Sequence, residues 1–150
     1  MLFRSGAPSI HALALLNAVA IFCQVVLGAG FRHSQISVWP HMVGALVVLG
    51  TVTWSAVALR KRFGDASAMR RARLWLHSIF GLQFLLGFGA YWGRLASEKT
   101  GPTPATVWST VTHTVVGALL FAFSIFVVLI CRRMVARGRE VATAQGEVTA

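Results

Sequence analysis

Five histidines occur in this 150-residue chain, and imidazole is the side chain best suited to ligate a metal or carry a proton near neutral pH. His41 is followed by Gly44-Ala45-Leu46, and His113 by Gly117-Ala118-Leu119. A residue three or four positions further along a helix lies on the same face, so each imidazole has a glycine beside it that leaves room for a flat ring. Superposing the two Gly-Ala-Leu triplets offsets the histidines by one residue, about 1.5 Å of helix rise. Two imidazoles at matched depth on facing helices are what a heme iron takes as axial ligands. The bland alternative is that each imidazole bonds a neighbouring helix or interfacial water. Structural zinc wants four nitrogen, sulfur or oxygen ligands, and no Cys, Asp or Glu stands at that depth.

The other histidines are weaker candidates. His11 and His77 form a conceivable second heme pair, but aligning their helices on a shared motif leaves them seven residues apart, about 10 Å along the axis. An interfacial His11 and a hydrogen-bonded core His77 are the simpler assignment. His33 follows Arg32 in a loop. This basic pair is either solvated or placed to meet the carboxylates of a heme.

Those histidines need long apolar elements to hold them. The chain is 56% hydrophobic and 12% charged, with a mean hydropathy of +0.69, far outside the soluble range. Four stretches free of Asp and Glu reach the roughly 20 residues that span a bilayer: Ile10 to Phe31, Val38 to Leu59, Leu74 to Gly93 and Val107 to Cys131. The expected fold is all-α, an integral membrane four-helix bundle. The first stretch is kept as a helix because it is long, carries His11, Asn17 and Gln24, and lacks a clear small-residue cleavage site. Residues 1–134 form one transmembrane heme-binding domain. Residues 135–150 form a polar tail expected to be frayed or disordered.

Net charge is +10, yet the basic residues fall in short clusters between apolar runs, which argues for topology and against nucleic acid. Arg4, the second loop (Arg60, Lys61, Arg62, Arg70, Arg71, Arg73) and the tail (Arg132, Arg133, Arg137, Arg139) carry most of them, and only Arg32, Arg94 and Lys99 lie on the other side. The positive-inside bias then puts both termini in the cytoplasm of a multi-pass cell-membrane protein, with His41 and His113 toward the outer face. Trp39, Trp92 and Trp108 fall at the outer interface and Trp75 at the inner one, as an aromatic belt requires. Cys23 and Cys131 lie at different depths and imply no disulfide framework.

The chain also repeats itself. Gln24-Val-Val-Leu27-Gly28-Ala-Gly30 recurs as Gln83-Phe-Leu-Leu86-Gly87-Phe-Gly89, and the two His-Gly-Ala-Leu segments follow in the same order. Two repeated helical hairpins therefore build the bundle. Small residues at these positions suit close helix contacts, either inside the bundle or between two copies.

Taken together, Gly28-Ala-Gly-Phe-Arg32-His33, His41 with its small-residue stretch, Leu82-Gln83-Phe-Leu-Leu-Gly87, and Thr112-His113 before a long apolar helix ending in Arg132-Arg133 resemble heme A synthase. Members usually have eight membrane helices in two four-helix halves, each with a histidine pair for heme, and the likeness covers one half, roughly Ile10 to Arg133. The resemblance implies that His41 and His113 ligate heme. It also implies a role in heme A formation and terminal oxidase assembly, as an oxidoreductase acting on heme O or as a cofactor-holding partner. A second copy or related half, a heme O synthase and a terminal oxidase are the implied partners besides the lipid bilayer. Where the family's catalytic half has an acid, three positions before the helix-two histidine, this chain has Val38, and the family's paired loop cysteines are absent. The chain is thus more similar to the half that holds heme b, with His33 left as a candidate catalytic group. An electron-transfer cytochrome b, with one heme or two, is the other function class in play.

Overall fold

The computed structural model describes residues 9–64 and 67–148. Arg4, one of the topology signals, lies outside them. Among the described residues every regular element is an α-helix: α1 (Ile10–Arg32), α2 (Val38–Phe63), α3 (Ser67–Thr100) and α4 (Pro104–Val148). All four are long and apolar enough to cross a membrane. Leu85, 69% exposed, Leu46 at 61% and Leu119 at 58% are among many large apolar side chains on the outer surface, which requires lipid as their solvent. The chain is a multi-pass membrane protein.

The helix ends have local causes. Ser9 caps α1, its Oγ accepting from the Ala12 amide at 3.1 Å. α1 closes with the Gln35 amide on the Gly30 carbonyl and the Ser34 amide on that of Phe31, a Schellman pattern that forces Ser34 to a φ of 57°. Gly64 and Gly101, both at positive φ, follow α2 and α3, where a side chain would be strained. Thr103 caps α4, and Pro104 opens it where a missing N–H costs nothing.

Three helices outrun the apolar stretches by more than a residue, because hydropathy marks hydrocarbon thickness and not where a helix stops. α3 begins near Ser67 and carries Glu98 in its last turns. α4 continues to Val148, so the tail expected to be frayed is helical over 135–148, a stretch without proline in which Ala, Arg, Glu, Gln and Val outnumber Gly138, Thr143 and Gly146.

α1 packs on α2 and α4, and α3 packs on the same two, so α1 faces α3 and α2 faces α4 across the diagonals of a square. The repeat relates the two hairpins about an axis running along the helices. Each helix turns a stripe with helical spacing toward that axis. On α1 it is Ile10, Ala14, Asn17, Ile21, Gln24 and Gly28, and the bundle changes character along it. Ile10, Ala14, Leu59, Ala72, Val127 and Cys131 fill the end nearest the basic clusters. Ile21, Val48, Val52, Leu76, Phe80 and Leu120 form a second apolar layer at mid-height. Beyond it, the stripe carries glutamine, histidine and glycine.

Polar groups within the apolar part are tied locally. Thr51 Oγ1 bonds Asn17 Oδ1 at 3.1 Å across α1 and α2, and Asn17 is buried. Interhelical bonds of this kind average about 0.6 kcal/mol. Thr51→Val should cost that order of stability, measured by denaturant titration in mixed micelles, and leave the opposite end of the bundle unaffected.

Candidate functional site

The polar end of the stripe assembles four residue types twice. His41, one turn into α2, and His113, in the third turn of α4, meet across the diagonal with ring centroids 6.5 Å apart and planes at 87°. The helices that carry them do not touch. At this level the two rings meet across the centre of the bundle.

Each ring rests against a glycine of the helix before it in the repeat. A Cβ on Gly28 would lie 3.0 Å from His41 Cε1, and one on Gly87 would lie 3.2 Å from His113 Cε1. The glycines expected to leave space beside the imidazoles, Gly44 and Gly117, do something different. Their space is taken by glutamine: Gln24 lies against Gly44, and Gln83 Nε2 lies 2.8 Å from where a Cβ on Gly117 would stand. Gln24 Nε2 then donates to the His41 carbonyl at 2.9 Å, whereas Gln83 Nε2 lies 3.4 Å from His113 Nε2. The interleaving follows from the repeat, because Gln and Gly four residues apart on α1 or α3 face Gly and His three or four apart on α2 or α4.

Polar satisfaction is incomplete here. His41 Nδ1, His113 Nδ1, Gln24 Oε1 and Gln83 Oε1 are buried with no hydrogen-bond partner. Buried polar atoms without partners are rare in folded proteins and call for an explanation. Four of the five such atoms among the described residues, the other being Ser55 Oγ, stand at equivalent places of the repeat.

A metal–imidazole bond of about 2 Å on each side of one ion, plus about 1 Å from nitrogen to ring centre, separates two opposed ring centroids by roughly 6 Å, close to the 6.5 Å found. No third His, nor any Cys, Asp or Glu, joins the pair in a metal-binding group among the described residues, so the two imidazoles suit a metal that brings its own remaining ligands. The plane between the rings runs along the α1–α3 diagonal, where Gly28 and Gly87 present no side chain.

Two arginines stand over this end. Arg32 Nη1 reaches Thr114 Oγ1, beside His113, at 3.4 Å. Arg94 was not among the residues singled out by sequence. Its Nη1 donates to the Phe31 carbonyl at 3.1 Å and its Nη2 to Ser34 Oγ at 3.3 Å, and the guanidinium sits 4.4 Å from the Phe31 ring centre. Four-residue spacing from Gln83 through Gly87 puts Arg94 near the bundle-facing stripe of α3, a signal present in the sequence.

The remaining candidates do not join the site. His33 is exposed in the turn after α1. His77 Nδ1 bonds the Arg73 carbonyl of its own helix at 2.9 Å. His11 is partly buried at the start of α1, and no ring contact links it to His77 among the described residues. No family model matches the sequence, and neither a curated protein nor a solved structure matches the chain.

Proposed function

We propose that the chain is a heme-binding membrane protein of the heme A synthase type, retaining heme b between His41 and His113 and serving heme A formation and terminal oxidase assembly. The observation that carries this reading is the meeting of the two imidazoles across the bundle at 6.5 Å, in a layer where both ring Nδ1 atoms and both glutamine Oε1 atoms lack partners. When bound, heme supplies one-electron chemistry at iron. The chain's own residues do the rest. His41 and His113 ligate, Gly28 and Gly87 keep the space at the rings open, and Arg32 and Arg94 offer guanidinium groups to carboxylates at the same end.

The protein sits in the cell membrane with both termini and the α2–α3 connection in the cytoplasm, because Arg60, Lys61, Arg70, Arg71, Arg73, Arg132, Arg133 and Arg137 gather at one end. The heme site faces the opposite side. The chain has the size of one half of an eight-helix family member, and it pairs with a second copy or a related half. Of the small residues considered for that contact, Gly28 and Gly87 are engaged inside the bundle by the imidazoles, Gly30 lies against Ile36 of the α1–α2 connection, and Gly89 is open.

A second reading, an electron-transfer cytochrome b, is favoured by one feature: both faces of the iron would be closed by imidazole. Purification in mild detergent, followed by pyridine hemochrome spectra and extraction of the bound heme, tests both readings, and a colourless protein from heme-replete cells overturns both. Catalysis is tested separately. With Val38 in place of an acid and His33 exposed, the chain coexpressed with a heme O synthase in a host lacking heme A should retain heme b and produce no heme A. Chromatography of total hemes reads the result. Heme A formed in a His33-dependent manner would make the chain a synthase in its own right.

A further inference from the structure

We propose that Gln83 is a positioning residue for His113, with a carboxamide that turns over to match which nitrogen of the neutral ring carries the hydrogen. The proposal rests on the heme reading above. The repeat supplies two equivalent glutamines, and only the Gln83 carboxamide lies within hydrogen-bond distance of an imidazole nitrogen. Gln24 Nε2 is spent on the His41 backbone carbonyl, and the His41 ring is held by its close contact with Gly28. Gln83 Nε2 instead lies 3.4 Å from His113 Nε2. Gly117 leaves the room in which that carboxamide sits, so the amide is packed against α4 at the level of the ring.

A neutral imidazole has one N–H and one bare nitrogen. In the heme-free protein the Gln83 amide N–H donates to the bare nitrogen facing it, leaving Gln83 Oε1 and His113 Nδ1 unpartnered. If iron takes the lone pair of one ring nitrogen, the hydrogen must reside on the other, which then faces Gln83 as a donor. A half-turn of the carboxamide about its terminal bond exchanges NH2 for oxygen within nearly the same shape. Oε1 then accepts from the ring, and the buried oxygen that lacked a partner gains one. Such a bond makes an axial imidazole more basic and favours oxidised iron.

The test is a redox titration and low-temperature EPR of the full chain with bound heme, comparing wild type, Gln83→Leu, Gln83→Glu and Gln24→Leu. Gln83→Leu should keep its heme and shift the reduction equilibrium toward ferrous by roughly three- to tenfold, tenfold being 59 mV for one electron. Gln83→Glu, a stronger acceptor, should shift it toward ferric. Gln24→Leu should move it by less than about twofold. Equal effects of the two leucine variants, or shifts of the same sign from Gln83→Leu and Gln83→Glu, would overturn the positioning role. If Gln83→Leu does not accumulate, the direction of the Gln83→Glu shift decides alone, and no shift or a rise in potential overturns the role. Heme bound normally with a potential indifferent to Gln83 removes only this inference, whereas a wild-type protein without heme removes the heme reading as well.

Discussion

Replacing His41 or His113 by alanine should abolish the low-spin heme spectrum, each variant alone being sufficient. Loss of one axial nitrogen leaves iron five-coordinate. Affinity should fall by more than the roughly 10- to 100-fold seen when only an outer partner of a metal ligand is lost. The rings are each other's neighbours at 6.5 Å, and no other His, Cys, Asp or Glu groups with them among the described residues, so no side chain is at hand to substitute. His11→Ala and His77→Ala should leave the spectrum close to wild type, since His77 bonds its own helix. Absorption spectra of the four purified variants check this. A spectrum lost in His77→Ala and preserved in His41→Ala would show that the wrong pair had been chosen.

The next largest effect is expected at two glycines. Gly28→Leu and Gly87→Leu should prevent heme retention, because even the first carbon of the new side chain would stand 3.0 Å from His41 Cε1 or 3.2 Å from His113 Cε1. Alanine should be intermediate. Overpacking of this kind costs about 1–3 kcal/mol, equivalent to roughly 5- to 150-fold in affinity. Gly89 belongs to the same motif with nothing within 4 Å, and Gly89→Ala should bind heme normally. In all three alanine variants the helix itself gains by up to about 1 kcal/mol from losing a glycine. The clash exists without heme, so Gly28→Ala should bind heme more weakly and also unfold, heme-free, at a lower temperature than Gly89→Ala, which gains the helix contribution with no contact to offset it. Reduced affinity in Gly89→Ala equal to that in Gly28→Ala would mean that the glycines act through helix flexibility and not through the rings.

Much of this arrangement was legible in the sequence. Hydropathy located the four spans, and the order of the repeat paired His41 with His113, because both signals depend only on periodicity within one helix. The partnership of the glycines was not legible. Spacing within α2 shows that Gly44 shares a face with His41, but it does not reveal that Gln24, from another helix, fills the gap there. Likewise Gly28 and Gly87 read as generic helix contacts until the imidazoles are found against them. Arg94 escaped for a related reason. Its partner Phe31 lies 63 positions away, and a lone arginine at a helix end resembles a topology marker. Helix ends beyond the membrane were set by Gly64, Gly101 and ordinary helix formers, none of which hydropathy weighs.

The mid-height layer of Ile21, Val48, Val52, Leu76, Phe80 and Leu120 has an electrical consequence. It separates the histidine end from the basic end with apolar packing. A full charge crossing the membrane exchanges about 2.3 kcal/mol per 100 mV. With heme held at His41 and His113 as proposed, an electron delivered to it from that side would traverse only the shallow part of that drop, since His41 lies one turn inside α2. Reduction there would be only weakly sensitive to membrane voltage. Delivery from the opposite face would carry the electron through most of the field and make the equilibrium strongly voltage-dependent.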